Sequence, residues 1–452
     1  MSGEKPFRVP RSAFRDGGPT EEGEGLAPRR AALEILTAVR KGEAFEAALS
    51  RGIARLEDAD RRLAHELAAG VFRQQRDLDA RLMPLARHGW SSVSHELRDI
   101  LRLGAYQLVA LDRIPPHAAV STTVDLARAS LGEKTAGFVN AVLRQLGGRA
   151  APPAFALDPA AHLASRHSHP DWLVRRWLDR FGAGETERLL EWDNTRPELV
   201  VQPARVSLDE LQKRFWENGV SARRAPYDAG LVLEPCRPAE LPGYDSGDFI
   251  VQDPAQALVA RFAAFPADAV VYDACAAPGG KSIAIGRTVR RLIAGELKQD
   301  RLPRLRENLR RAGSGREFPL AASAAAPPIR PVDGILLDAP CLGTGTLARH
   351  PDARWRVNPT ALARITGTQA DLLLAVAEAV RPGGWLVYAT CSIEPEENQD
   401  QVATLLARLP AFRRDPAPGL PQELLTPDGD LLLLPQRHGT DGAFAARLRR
   451  VG

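Results

Sequence analysis

The residues best equipped for covalent chemistry in this chain are two cysteines that each follow an apolar run, Cys341 in LLDAPC and Cys391 in YATCS. A thiolate attacks electrophilic carbon, and a thiol exchanges its proton not far from neutral pH. A cysteine drawn at random is more often a small buried hydrophobe. Here both sit at the expected ligand-binding edge of a sheet, alongside the carboxylate of Asp338. Three reactive groups converging on one edge favour a chemical site over packing. The other two cysteines are Cys236 and Cys275, and no two of the four form a C-x-x-C pair. That spacing argues against a cysteine zinc site, and no metal is expected.

A second constellation is DACAAPGGK, residues 273–281, which closes an apolar strand and opens a helix. Gly279 and Gly280 let the backbone approach a ligand closely, and the helix start beyond them favours an anionic group. An ordinary glycine-rich turn has the same composition, and Lys281 is by itself an unremarkable lysine at a helix start. The G-x-x-x-x-G-K-[ST] spacing of a nucleotide P-loop is absent. The next strand ends at Glu296. An acid one βα unit after a glycine-rich loop is placed to accept hydrogen bonds from ribose hydroxyls.

These groups need a sheet to carry them. From about residue 268 the pattern alternates strand and helix, with candidate strands AVVYDAC, RLIAGEL, EFPLAAS, DGILLDAP and WLVYATC and a last strand in GAFAARLRR. Apolar strands alternating with helices predict a parallel, doubly wound sheet whose ligands bind at the strands' carboxyl ends. Ahead of it, Ala32, Ile35, Leu36 and Val39 open a series of helical stripes that runs to about Leu146. The reading divides the chain into a disordered tail (1–26), an all-α domain (27–148), a linker (149–168), a small α+β insert (169–265) and an α/β domain (266–452). Within the insert, HPDWLVRRWLDRFG predicts a helix that Gly182 ends.

Composition bounds the rest. The 452 residues are 44% hydrophobic and 26% charged, with a net charge of +4 and a pI near 9.0. This mild basicity permits a polyanionic partner without demanding one. Six lysines stand against 54 arginines; arginine suits phosphate contacts, although a genome-wide preference for arginine explains the excess better. The N-terminal residues lack the apolar core of a signal peptide, and no apolar run is long enough to span a bilayer. Together with the cysteine usage this predicts a cytoplasmic protein with no membrane association.

DACAAPGGK, LLDAPC-x-G-T-G and YATCS-x-x-P-E-E-N, in this order, resemble the NOL/NOP/Sun family of RNA cytosine-5 methyltransferases. The helical domain resembles the RNA-binding NusB fold, a combination similar to the bacterial Sun branch, which methylates small-subunit (16S) ribosomal RNA. The resemblance covers nearly everything after residue 28. It implies an all-α NusB-like domain, a small α+β RNA-binding insert and a Rossmann-like catalytic domain using S-adenosylmethionine, acting as a monomer. Cys275, Ala276, Ala277, Pro278, Gly279, Gly280 and Lys281 would line the cofactor pocket, with Glu296 on the ribose and Asp338 beside cofactor and cytosine. Lys281 would act near the methionine moiety or the base. Cys391 matches the family's nucleophile and Cys341 the thiol that assists product release. Two positions depart from the family pattern: Ser323 stands where an acid helps hold the adenine end, and Lys298 where an acid is common after the ribose ligand. A transfer RNA substrate, or an RNA-binding protein with impaired catalysis, stays open as an alternative.

Overall fold

The computed structural model describes residues 25–87, 89–148, 158–417 and 419–452. The expected disordered tail lies almost wholly outside them. Two compact units emerge, one of residues up to Asn194 together with His350–Trp355, the other of Thr195–Arg349 and Arg356–Gly452.

The first unit is helical: α1 (Leu26–Arg40), α2 (Phe45–Gly52), α3 (Asp58–Leu82), α4 (His95–Ala110), α5 (Pro116–Leu131), α6 (Glu133–Gly147), α7 (Pro159–Arg166), α8 (Asp171–Phe181) and α9 (Ala183–Asp193). The stripe Ala32, Ile35, Leu36 and Val39 is buried against α3 and α4 as its spacing predicts. Gly70 permits the closest contact: a Cβ there would lie 2.0 Å from Cζ of Tyr106. Gly182 ends α8 with φ 76°, a conformation that side chains resist.

One expectation needs correction. The stretch 149–168 is not all linker, because Asp158 caps α7 by accepting from the Ala161 amide at 3.2 Å. Helices α8 and α9, which open the expected insert, cluster with the helical unit. Arg354, from the 350–355 segment, is buried there and donates to Asn194 Oδ1 and to the Asp193 carbonyl, both at 2.7 Å. Neither pairing is local in sequence, so no helical or strand periodicity announces it.

The second unit holds two sheets. A four-stranded antiparallel sheet, β1 (Leu199–Pro203), β2 (Ala222–Arg224), β3 (Leu231–Leu233) and β4 (Phe249–Val251), runs in the order β2-β3-β1-β4, with α10 (Leu208–Glu217) between β1 and β2 in the chain. After α11 (Pro254–Ala263) come β5 (Val270–Asp273), α12 (Gly280–Gly286), β6 (Arg291–Glu296), α13 (Leu302–Ala312), β7 (Glu317–Ala321), β8 (Val332–Asp338), α14 (Pro359–Glu378), β9 (Val380–Thr390), α15 (Gln399–Arg408), β10 (Phe412–Arg414), β11 (Leu431–Leu433), α16 (Pro435–His438) and β12 (Ala443–Arg450).

The large sheet has the order β10-β12-β9-β8-β5-β6-β7, with β11 paired to β12. Strands β5 to β9 are parallel, as expected, but β10, β11 and β12 pair antiparallel, so the sheet is mixed. β8 is buried along nearly its whole length, which fits its apolar run and the helical cover of both sheet faces. Leu336, Val387 and Ala389 face a layer with α11, α12 and α13, whereas Ile335, Leu337 and Tyr388 face one with α14 and α15. The strand order reverses between β5 and β8, and that switch point opens a crevice at their carboxyl ends. Among the described residues no helix is long and apolar enough to cross a membrane, and no cluster of metal-ligating side chains occurs.

Candidate active site

The loop after β5 is tied to both neighbouring strands: the Ala274 amide donates to the Leu336 carbonyl and the Ala276 amide to that of Gly295, each at 2.9 Å. Gly279 has φ 108°, and at Gly280 a Cβ would meet the Gln252 side-chain nitrogen at 2.5 Å. The glycines therefore satisfy a backbone conformation and a close approach. Asp273 ends β5 and accepts from the Ser282 hydroxyl at 2.6 Å; burial pushes its carboxyl up to about 7. Glu296 is buried at the end of β6. Its Oε1 accepts from the Lys298 amide at 2.8 Å. Cys275 is no rival nucleophile: burial, then the charges of Asp273, Asp338 and Glu296, push its thiol up to about 12. Ser323 follows β7 and turns its hydroxyl back on its own loop, accepting from the Ala325 amide at 3.2 Å. Lys298 is exposed.

β8 and β9 run parallel with Asp338 opposite Ala389, and the Ala339 amide donates to the Ala389 carbonyl at 2.8 Å. Their following loops therefore leave the sheet side by side. The consequence is that Cys341 and Cys391, fifty positions apart, lie with their sulfurs 2.9 Å from one another. Both are partly exposed. The Cys391 amide also donates to the Cys341 sulfur, at 3.4 Å. Contact with Cys391, burial and the nearby Glu397 push the Cys341 thiol well above its ordinary range. The L-G-T-G loop is folded onto Cys391: the Gly345 amide donates to the Cys391 carbonyl at 3.1 Å, and a Cβ on Gly345 would lie 2.9 Å from that same oxygen.

Lys281 is more than a surface lysine at a helix start. Its side chain is largely buried, and its ammonium lies 2.7 Å from Asp338 Oδ2 while also donating to Gln256 Oε1. This ion pair links the start of α12 to the end of β8, across the switch point. The crevice thus brings together the DACAAPGGK loop, Asp338 and the thiol pair.

Several residues that organise the site carry no role in the sequence reading. Glu397 and Asn398 are buried: Glu397 bonds both cysteine loops, and Asn398 accepts from the Thr390 hydroxyl and donates to the Ser392 carbonyl. Arg349 bridges Asp253 and Asp441 at 2.5 and 2.7 Å, holding the end of the Cys341 loop to the segments before α11 and β12. The P-E-E-N signature was the available signal for the first two; for Arg349 none existed, because its partners lie more than ninety positions away.

Comparison with known proteins gives three family matches: "16S rRNA methyltransferase RsmB/F" over residues 263–449, "NusB family" over 26–147, and an RsmF/B-like ferredoxin-like domain over 169–239. The chain is 34% identical to the probable ribosomal RNA small subunit methyltransferase B of a Synechocystis species, covering 94% of this chain and 100% of that protein. It is 34% identical to the ribosomal RNA small subunit methyltransferase B of Pseudomonas syringae pv. tomato, over 94% and 97% of the two chains. The crystal structure of PH0851 superposes with a TM-score of 0.78 at 24% identity, covering 98% of this chain and all of that one. A methyltransferase homologue from Pyrococcus horikoshii has a TM-score of 0.55 at 25% identity, over 66% of this chain and all of its own.

Proposed function

This chain belongs to the RsmB/F family of 16S rRNA methyltransferases, and from that premise we propose that it methylates C5 of a cytosine in 16S ribosomal RNA through a covalent bond between Cys391 and C6 of the base. S-adenosylmethionine, when bound, supplies an electrophilic methyl group. The DACAAPGGK loop fits it, because the loop leaves β5 at the strand switch point and Glu296, at the end of the next strand, keeps a carboxylate oxygen for ribose hydroxyls. The observation that carries the mechanism is the 2.9 Å separation of the two sulfurs at the mouth of this crevice.

Cytosine C5 is a weak nucleophile on its own. Addition of the Cys391 thiolate to C6 makes C5 enamine-like, dividing one hard step into two easier ones. Asp338, held in place by Lys281, accepts from the exocyclic amino group and orients the base. After methyl transfer the proton on C5 must leave before the C6–S bond can break. Once Cys391 is bonded to carbon it no longer holds the proton on Cys341; that proton passes to water, and the Cys341 thiolate beside the adduct takes the C5 proton, directly or through one water. A base that starts in a duplex must be turned out of the stack, at a few kcal/mol. We assign that cost, and the choice of RNA, to contacts made by the NusB-like domain and the small sheet.

Methyl incorporation from labelled S-adenosylmethionine into unmodified 16S RNA, small subunits and transfer RNA tests the reading. The label should enter 16S RNA as 5-methylcytosine, at a single site by bisulfite sequencing. Label only in transfer RNA, or at a position other than C5, would refute it.

A further inference from the structure

Both cysteine loops hang on one buried carboxylate. Glu397 Oε2 accepts from the Leu342 amide at 2.9 Å and from the Gln369 side-chain nitrogen at 3.0 Å. Its Oε1 accepts from the Ser392 hydroxyl. Leu342 adjoins Cys341 and Ser392 adjoins Cys391. Gln369, on α14, also donates to the Pro340 carbonyl at 2.9 Å, so Cys341 is held on both sides. The Ser392 hydroxyl lies 3.0 Å from that of Thr344, which accepts from the Ile393 amide at 3.1 Å. Glu397 is itself anchored by the Tyr388 hydroxyl, which donates to its carbonyl at 2.7 Å.

We infer that Glu397 is a positioning residue for the thiol pair: its carboxylate sets the distance between the two cysteine loops and places a negative charge on the Cys341 side. This inference rests on the covalent mechanism proposed above. The hydrogen bonds alone do not call for a charge. A glutamine in the same place would accept from Leu342 and Gln369 with its oxygen and donate to the Ser392 hydroxyl with its nitrogen. That hydroxyl would then donate to Thr344. Burial instead penalises the ionised carboxylate and pushes Glu397 above the usual carboxylate range. What only the charge supplies is an effect on its neighbours. The titratable groups facing Cys341 are Cys391 from the adjoining loop, Glu397, and Tyr388 from β9, whose phenol is raised by burial, by Cys341 and by Glu397; α14 contributes only the neutral Gln369, and the Lys281–Asp338 pair three residues upstream carries no net charge. Glu397 thereby adds to the Cys391 contact and the burial that raise the Cys341 thiol in the free enzyme.

The full-length protein tests this with two variants. Site-resolved labelling by iodoacetamide, followed by mass spectrometry across a pH series, reads the thiols without RNA. In Glu397→Gln the bonds persist and the charge is gone, so Cys341 should label at lower pH than in wild type. In Glu397→Ala both loops lose their tether; kcat should fall about 100-fold, the scale expected for a small misplacement of reacting groups, while KM for S-adenosylmethionine is unchanged. Coincident Cys341 labelling curves in wild type and Glu397→Gln would overturn the role of the charge. A folded Glu397→Ala enzyme with wild-type kcat would overturn the tether, and if that variant does not fold, the labelling curve of Glu397→Gln decides. Failure of the covalent mechanism itself has a different signature: absence of any RNA adduct in Cys341→Ala, whatever the labelling curves do.

Discussion

Replacing Cys341 by alanine should convert the enzyme from a catalyst into a trap. The substitution removes the sulfur contact at 2.9 Å and the acceptor of the Cys391 amide at 3.4 Å. It leaves the other supports of Cys391: the Gly345 amide on its carbonyl and the Asn398 bonds to Thr390 and Ser392. Attack and methyl transfer therefore proceed, and only proton removal from C5 loses its base. A positioned base contributes about 10²–10⁴-fold to such a step. From an ordinary turnover of about 10 s⁻¹, release would slow to roughly 0.1–0.001 s⁻¹, an adduct lifetime of about ten seconds to about a quarter of an hour. Quenching Cys341→Ala with RNA and S-adenosylmethionine into denaturant should give a shifted, RNase-sensitive band on a gel. Cys391→Ala and the double variant should give none, and Cys391→Ala should lose essentially all turnover. DNA cytosine methyltransferases attack with the cysteine of their Pro-Cys motif, so an adduct in Cys391→Ala instead would mean that the two roles are reversed. No adduct in either single variant, with wild type active, would falsify the covalent route.

Three further outcomes follow from the same site. Glu296→Ala should weaken S-adenosylmethionine binding by about 1–3 kcal/mol in calorimetry, the cost of losing a charged acceptor; unchanged affinity removes Glu296 from the cofactor site. Gly345→Ala forces a Cβ to within 2.7 Å of Gly442 Cα, so the loop must shift, lowering stability by about 1–3 kcal/mol in thermal unfolding and reducing methylation more than cofactor affinity. Cys275, with its thiol pushed up to about 12 by burial, is almost wholly protonated at pH 8; iodoacetamide should label exposed Cys236, whose thiol is raised less, well before Cys275, and prompt labelling of Cys275 would contradict the burial that raises it.

Much of the chemistry was legible in the chain because its signals are local. A glycine pair after an apolar strand, an acid at the next strand's end and cysteines after two later strands are short-range patterns, and each stands at a strand's carboxyl end where a doubly wound sheet binds ligands. The helical stripe from Ala32 to Val39 is local in the same way, since a 3.6-residue period is written within one turn of its neighbours. What tertiary structure alone decided is which of these ends meet. The β9-β8-β5-β6 order places the loops after β8 and β9 side by side, and only then do Cys341 and Cys391 touch across fifty residues. The Lys281–Asp338 pair spans fifty-seven positions and the Glu397–Leu342 bond fifty-five. The antiparallel strands at one side of the sheet, the helix inside the expected linker and the docking of Arg354 in the helical unit belong with them. Periodicity and propensity describe a segment by its own residues, whereas a partner is selected by competition among all the surfaces the folded chain brings within reach.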